Sequence, residues 1–288
     1  MKHFLKPIAL GLIGLAVLTG AQQAQAQQAA KRSITKITGD LYRFQNNFHT
    51  SVFLVTPDGV IATDPINADA ATWLEAEIKK QFDKEIKYVI YSHDHADHVS
   101  GGEVFADTAI VVAHENAKEA IIGEKRPTAI PDITFSDEMT VELGGKKVHL
   151  TYVGPSHSNN SIVMNFPDER TLFAVDIISH KRVPFKTLGD SYFPGWIDAL
   201  SKLESIDFDI LAPGHGAMGT KADVASNHAY MKEMYDAIYA GLRAGKSLEE
   251  LKTSITMDKY KDWGQYKDWR PMNIEGIYNR IQMQRRGG

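Results

Sequence analysis

The chain has 288 residues, a formal net charge of −4 at pH 7, 11 histidines and no cysteine. A chain of this length can build a sizeable core without disulfides, and the missing thiols restrict any metal site to His, Asp, Glu and water, a set that suits zinc first and also iron or manganese. The acid excess argues against nucleic acid as a partner and leaves a small-molecule substrate as the expectation.

The N-terminus carries Lys2 and Lys6, an apolar stretch from Ile8 to Leu18, and Ala24-Gln25-Ala26, a small-x-small pattern. This reads as a cleavable signal peptide over residues 1–26, which predicts export to the periplasm or beyond. No cysteine stands there to take a lipid anchor, so no membrane attachment is expected after cleavage. Residues 27–288 are then expected to form a single domain, with a helical C-terminal segment over 217–288.

Short β-type runs follow at Leu41 to Phe44, Ser51 to Thr56 and Gly59 to Thr63, joined by turn residues such as Pro57-Asp58-Gly59. A helix is predicted over Asp69 to Phe82, and an apolar strand over Ile86 to Tyr91. Next come a strand from Thr108 to Ala113, a helix from His114 to Ile122, and a hairpin of Met139 to Leu143 with Lys147 to Val153 about Gly144-Gly145. The second half gives strands Ser161 to Phe166, Thr171 to Val175 and Asp209 to Ala212, with helices near Trp196 to Ile206, Ala222 to Leu242 and Ser247 to Ile255. One apolar run ends in Asp64 and another leads into His93; later, one ends in Asp176 and another leads into His215. This internal echo predicts an α/β fold of two similar β-rich halves facing each other, with helices outside.

The chemistry concentrates behind the strand at Ile86, where three histidines and two aspartates occupy His93 to His98. His93 and His95 point the same way from an extended segment, while Asp97 and His98 follow as the chain turns, so two metals fit this spacing better than one. Asp94 points away from them in a supporting role. Three further candidates sit just after strands: His157, Asp176 and His215, the last flanked by Gly214 and Gly216. His114 stands at a helix start and reads as a cap or a rim contact; His49 and His180 lie in loops that could border a pocket. The segment Val183 to Trp196 is aromatic and rich in Pro and Gly. Phe185, Tyr192, Phe193 and Trp196 could contact an apolar acyl group or pack beneath that loop, and Asn159 and Asn160 could bind a substrate carbonyl or form a turn.

These residues, over about Leu41 to Gly216, resemble the metallo-β-lactamase superfamily and its αββα sandwich. The resemblance implies a first metal on His93, His95 and His157, a second on Asp97, His98 and His215, and Asp176 bridging both. It also implies that Asp64 braces the metal loop, where the residues alone allow an ordinary Asp-Pro turn. The implied activity is that of a dinuclear zinc hydrolase acting on a lactone, ester, thioester or β-lactam by attack of a hydroxide held between the metals, with Asp97 taking up the proton. A bridging aspartate at Asp176 is similar to glyoxalase II and lactonases, whereas β-lactamases commonly lack it. Long insertions of the nucleic-acid-cleaving members are missing, and the segment Leu242 to Ile281 resembles that of exported hydrolases named for sulfur oxidation or quinoprotein systems. Two alternatives accompany this reading: a mononuclear iron enzyme like persulfide dioxygenases, and a binding protein stabilised by metal.

Overall fold

Strands that alternate apolar residues between two faces must bury both, and here each face finds a different partner. In the computed structural model, which describes residues 30–285, β1 (Arg32–Thr38), β2 (Leu41–Asn46), β3 (His49–Thr56) and β4 (Gly59–Thr63) form an antiparallel meander. The reading of residues 1–26 as a signal lies outside the described residues. The chain crosses through α1 (Ala68–Phe82) to β5 (Ile86–Ile90), then through the short α2 (Ala96–Val99) to β6 (Ile110–His114) and through α3 (Glu115–Gly123) to β7 (Ile133–Phe135); β4 to β7 pair in parallel. Parallel neighbours cannot be joined by a tight turn, which is why helices enter here. Asn67 caps α1 by accepting from the Ala70 amide, and Ala70, Ala71, Leu74 and Ile78 form its buried stripe.

The second sheet contains β8 (Glu138–Leu143), β9 (Lys146–Tyr152), β10 (Ile162–Phe166), β11 (Thr171–Ala174), β12 (Ile210–Pro213) and β13 (Gly219–Thr220) in sequential order. Gly144 and Gly145 both have positive φ, 56° and 79°, as a two-residue hairpin between β8 and β9 requires. The parallel pair β11 and β12 is linked through α4 (Phe193–Ser205), and α5 (Lys221–Arg243), α6 (Leu248–Ser254) and α7 (Tyr266–Arg285) follow β13.

Between the sheets, Val52, Leu54, Ile61 and Val112 meet Leu150, Met164, Phe166 and Phe173. Phe53 points the other way and joins Val89, Leu74, Ile78 and Ile121 beneath α1 and α3. On the far side, Leu172 and Leu211 pack under Trp196, Leu200, Met231, Ile238 and Ile277. The architecture is the expected αββα sandwich. The expected echo is also present, as β4-α1-β5 in one half and β11-α4-β12 in the other, each a parallel crossover. The C-terminal helices share the core of the second half, and no helix among the described residues is long and apolar enough to cross a membrane.

Three elements escape a reading by pattern. β1 is a largely polar edge strand, β7 has only three residues, and α7 carries Pro271 inside it. α4 begins at Phe193, ahead of Trp196, because Pro194 occupies its first turn, where a missing amide hydrogen costs nothing.

Phe166 has no exposed surface and bridges the two sheets. Truncation to alanine should cost about 3–5 kcal/mol. In urea unfolding the Phe166→Ala midpoint is expected to fall with an unchanged slope; an unchanged midpoint would remove Phe166 from the core.

Candidate active site

The parallel pairs bring the carboxyl ends of β4 and β5, and of β11 and β12, into position to carry Asp64, His93, Asp176 and His215 at their exits. Past β5 the backbone bends at Ser92 and again at Asp94 before His95, which occupies the N-cap of α2 with φ −62° and ψ 138°; Asp97 and His98 then lie on its single turn. The helical turn after His95 separates the two pairs, while the run that carries His93 and His95 is bent rather than extended as the spacing suggested.

The side chains converge. His95 Nδ1 lies 3.1 Å from His157 Nε2, and His98 Nε2 lies 3.2 Å from His215 Nε2. Between these pairs stands Asp176. Its Oδ2 is 3.8 Å from His93 Nε2, 3.5 Å from His157 Nε2 and 3.4 Å from His98 Nε2, and its Oδ1 is 3.3 Å from His215 Nε2. Asp97 Oδ2 completes the second group, 3.7 Å from both His98 Nε2 and His215 Nε2. Two donor sets thus share one carboxylate.

Contacts behind the cluster fix which nitrogen faces inward. Ser92 Oγ donates to Asp64 Oδ2 at 2.7 Å, so it accepts from the His93 Nδ1 proton at 2.9 Å. His93 Nε2 is then a bare lone pair, buried and without a hydrogen-bond partner. His215 Nδ1 faces the Phe48 carbonyl at 3.1 Å, which only accepts, so its Nε2 is likewise unprotonated toward the cluster. His95 turns Nε2 to Asp190 Oδ2 at 2.8 Å and keeps Nδ1 inside. Outer partners of this kind orient imidazole ligands. Converging nitrogen lone pairs repel unless a cation stands among them, so an unpartnered buried Nε2 and a shared carboxylate fit divalent metal binding, and nitrogen and oxygen donors without sulfur suit zinc, iron or manganese.

Electrostatics agree with a charged focus. Burial alone would raise the Asp176 carboxyl, but His98, His157 and His215 outweigh it and hold it well below the ordinary range. Burial, helped by the neighbouring imidazoles, drives His93 well below its usual value. For Asp97, too, burial is opposed by the His49 hydrogen bond and by His98, with a net lowering.

Other candidates fall where their local contacts take them. Asp64 is fully buried and grips the loop through the Ser92 amide at 2.8 Å and hydroxyl, with His98 Nδ1 at 3.5 Å. Asp94 points away from the cluster and is held by Arg126 Nη2 at 3.1 Å and Asn160 Nδ2 at 2.8 Å. Asn160 is therefore not a pocket residue: it is 1% exposed, and its Oδ1 accepts from the Asp94 amide at 3.0 Å, tying the His157 loop to the His93 loop. Asn159 uses its carbonyl to accept from Asn116 and Tyr152 and does not line the cavity before the cluster. Phe193 is buried in the core under α4, and Tyr192 is tied to the Ser156 carbonyl; neither lines the cavity. Phe185 and Trp196 do, although Trp196 is almost wholly buried and donates its indole proton to the Ile177 carbonyl. His114 caps α3, and His180 pairs with Asp223.

One contributor lacked a sequence signal, and another was expected only as a loop residue at the pocket border. Asp190 orients His95, and His49 reaches Asp97 Oδ2 at 3.3 Å while its strand pairs with His215. His49 opens β3, two residues before the apolar alternation that marked that strand, so its side of the sheet could have been counted back from Ser51.

The cavity in front of the cluster has a volume of about 870 Å³. The sequence model of the metallo-beta-lactamase superfamily matches residues 47–215, the stretch from β3 to the last converging histidine. The chain belongs to the metallo-β-lactamase superfamily. Members of it are mostly metal-dependent hydrolases, with other chemistries represented. The chain is 26% identical over 231 residues to 2,4-dinitroanisole O-demethylase subunit alpha of Nocardioides sp. (strain JS1661), covering 78% of this chain and 67% of that one. It is also 26% identical over 208 residues to the type 2 metallo-beta-lactamase of Elizabethkingia meningoseptica, covering 68% and 80%. The solved metallo-beta-lactamase of Pontibacter korlensis superposes with a TM-score of 0.63 at 21% identity, over 70% of this chain and 99% of that one, a likeness of fold.

The Asp94–Asn160 pair predicts an effect at a distance. Asn160→Ala should weaken divalent-ion affinity by about 10–100-fold in competition with a chromophoric chelator, with the far-ultraviolet spectrum retained; wild-type affinity would show that the two loops are positioned without it.

Proposed function

We propose that this metallo-β-lactamase superfamily member is a dinuclear zinc-dependent hydrolase of a small carbonyl substrate, a lactone, ester, thioester or β-lactam. The observation that carries the reading is Asp176 standing within 3.8 Å of imidazole nitrogens from both groups, His93 and His157 on one side and His98 and His215 on the other. On this reading His93, His95 and His157 would hold one ion and Asp97, His98 and His215 the other, with Asp176 available to both. When bound, divalent cations supply Lewis acidity that polarises a carbonyl and makes water nucleophilic near pH 7.

The remaining work falls to the chain itself. Asp97 is half exposed, lines the cavity and is steadied by His49, and on this reading its carboxylate would accept a proton during the reaction. Trp196, edge-on to His157 at 5.6 Å, packs against that imidazole at the cavity wall. The Ala24-Gln25-Ala26 pattern supports export as part of the proposal, and the mature N-terminus of protein from a periplasmic fraction checks it.

A second bond belongs in any screen, because the relative from Nocardioides is named for O-demethylation of 2,4-dinitroanisole. The purified protein is expected to hydrolyse at least one member of a panel of lactones, esters, thioesters, β-lactams and a methyl aryl ether, to lose that activity to a chelator and to regain it with zinc. Asp97→Asn should lower kcat by about 10²–10⁴. Turnover that needs iron and consumes oxygen with a persulfide would replace the hydrolase with the mononuclear oxygenase, and full activity in chelator would dismiss both.

A further inference from the structure

Three cations line the cavity before the cluster, and among the described residues none lies within ion-pair distance of a carboxylate: Arg43 from β2, and Arg182 and Lys186 from the segment after Asp176. This runs against the acid excess of the chain, 36 Asp and Glu to 32 Lys and Arg. The acids that share the cavity are engaged elsewhere, Asp190 with His95 and Asp97 and Asp176 in the cluster. Arg43 is half-buried, spends one amine on the Gly216 carbonyl, and leaves its Nε buried without a partner.

Arg182 is half-buried too. Its guanidinium lies over Trp269 at 4.6 Å, Trp269 meets Phe185 edge-on at 5.0 Å, and the Lys186 ammonium lies over Phe185 at 4.8 Å. This cation-aromatic ladder holds the guanidinium in place with no carboxylate paired to its fork, although the Asp176 charge is near enough to act on it. Withdrawing such a group from water without an anion is costly, and a planar oxyanion supplies what is missing. Apolar surface stands beside it, since Phe48 is 86% exposed and Phe185 58% exposed at the cavity wall.

We propose that Arg43 and Arg182, with Lys186 at the mouth, bind an oxyanion on the non-reacting end of the substrate. The substrate is then an anionic amphiphile: a carboxylate or sulfonate group, an apolar body lying on Phe48 and Phe185, and the scissile bond at the cluster. Only the placing of that bond rests on the hydrolase reading.

Calorimetric titration of the metal-loaded protein with 4-phenylbutyrate, 4-phenylbutane-1-sulfonate and the uncharged 4-phenylbutan-1-ol tests this without turnover. At least one anion is expected to bind about tenfold or more tightly than the alcohol, with the advantage shrinking as salt rises from roughly 50 to 500 mM. Preference for both anions assigns a general oxyanion site, and preference for one names the group. Arg43→Gln and Arg182→Gln should each cut the anion-to-alcohol ratio about fivefold or more, and Arg182→Lys, which keeps a charge over Trp269, should restore part of it. Equal binding of anion and alcohol would overturn the proposal. So would an anion advantage that survives both glutamine variants, since the cluster itself would then hold the anion. Chelator-sensitive hydrolysis without any anion preference would sink this inference alone, whereas an arginine-dependent preference without hydrolysis would sink the hydrolase reading alone.

Discussion

The carboxylate of Asp176 is the point on which the arrangement depends. Its backbone sits in the left-handed region at φ 58°, a conformation that aspartate tolerates better than most residues but that still needs its surroundings to maintain it. From there it meets imidazoles contributed by three separate loops, after β5, β9 and β12. A negative charge at this depth is tolerable only because those nitrogens, and the cations they fit, surround it. Remove the carboxylate and two groups of lone pairs would face each other with nothing to join them.

The fold supplies that focus by doing one thing twice. A parallel crossover ends in Asp64 and His93 in one half and in Asp176 and His215 in the other, and the sheets pack face to face through a core of Val, Leu, Ile and Phe. Each half then contributes a buried or half-buried acid. Asp64 steadies the loop of its own half, while Asp176 reaches across. A layer of polar contacts behind the ligands, Ser92 to His93, Asp190 to His95 and the Phe48 carbonyl to His215, fixes ring orientation before any ion arrives.

What the sequence made legible was local. His93 to His98 lie in one loop, and His157, Asp176 and His215 each follow a recognisable strand, so residue type and position sufficed for them. Roles that depend on a tertiary partner were hidden. Asn160 follows His157 closely enough to suggest the pocket, yet its amide is spent on Asp94, 66 positions away along the chain, and on the neighbouring Asn159. Phe193 and Tyr192 were hidden by the start of α4, which turns one into the core and the other away from the cavity. The cationic wall was invisible for the same reason: Arg43 and Arg182 belong to different halves, and only the sandwich brings them to one cavity.

The most direct measure of the account is the number of metal ions bound per chain in protein purified without chelator, with Asp176→Asn beside the wild type. Two zinc ions per wild-type chain, with loss of at least one in the variant, are what a shared carboxylate predicts. A single ion per chain, unchanged by removal of the Asp176 charge, would contradict it.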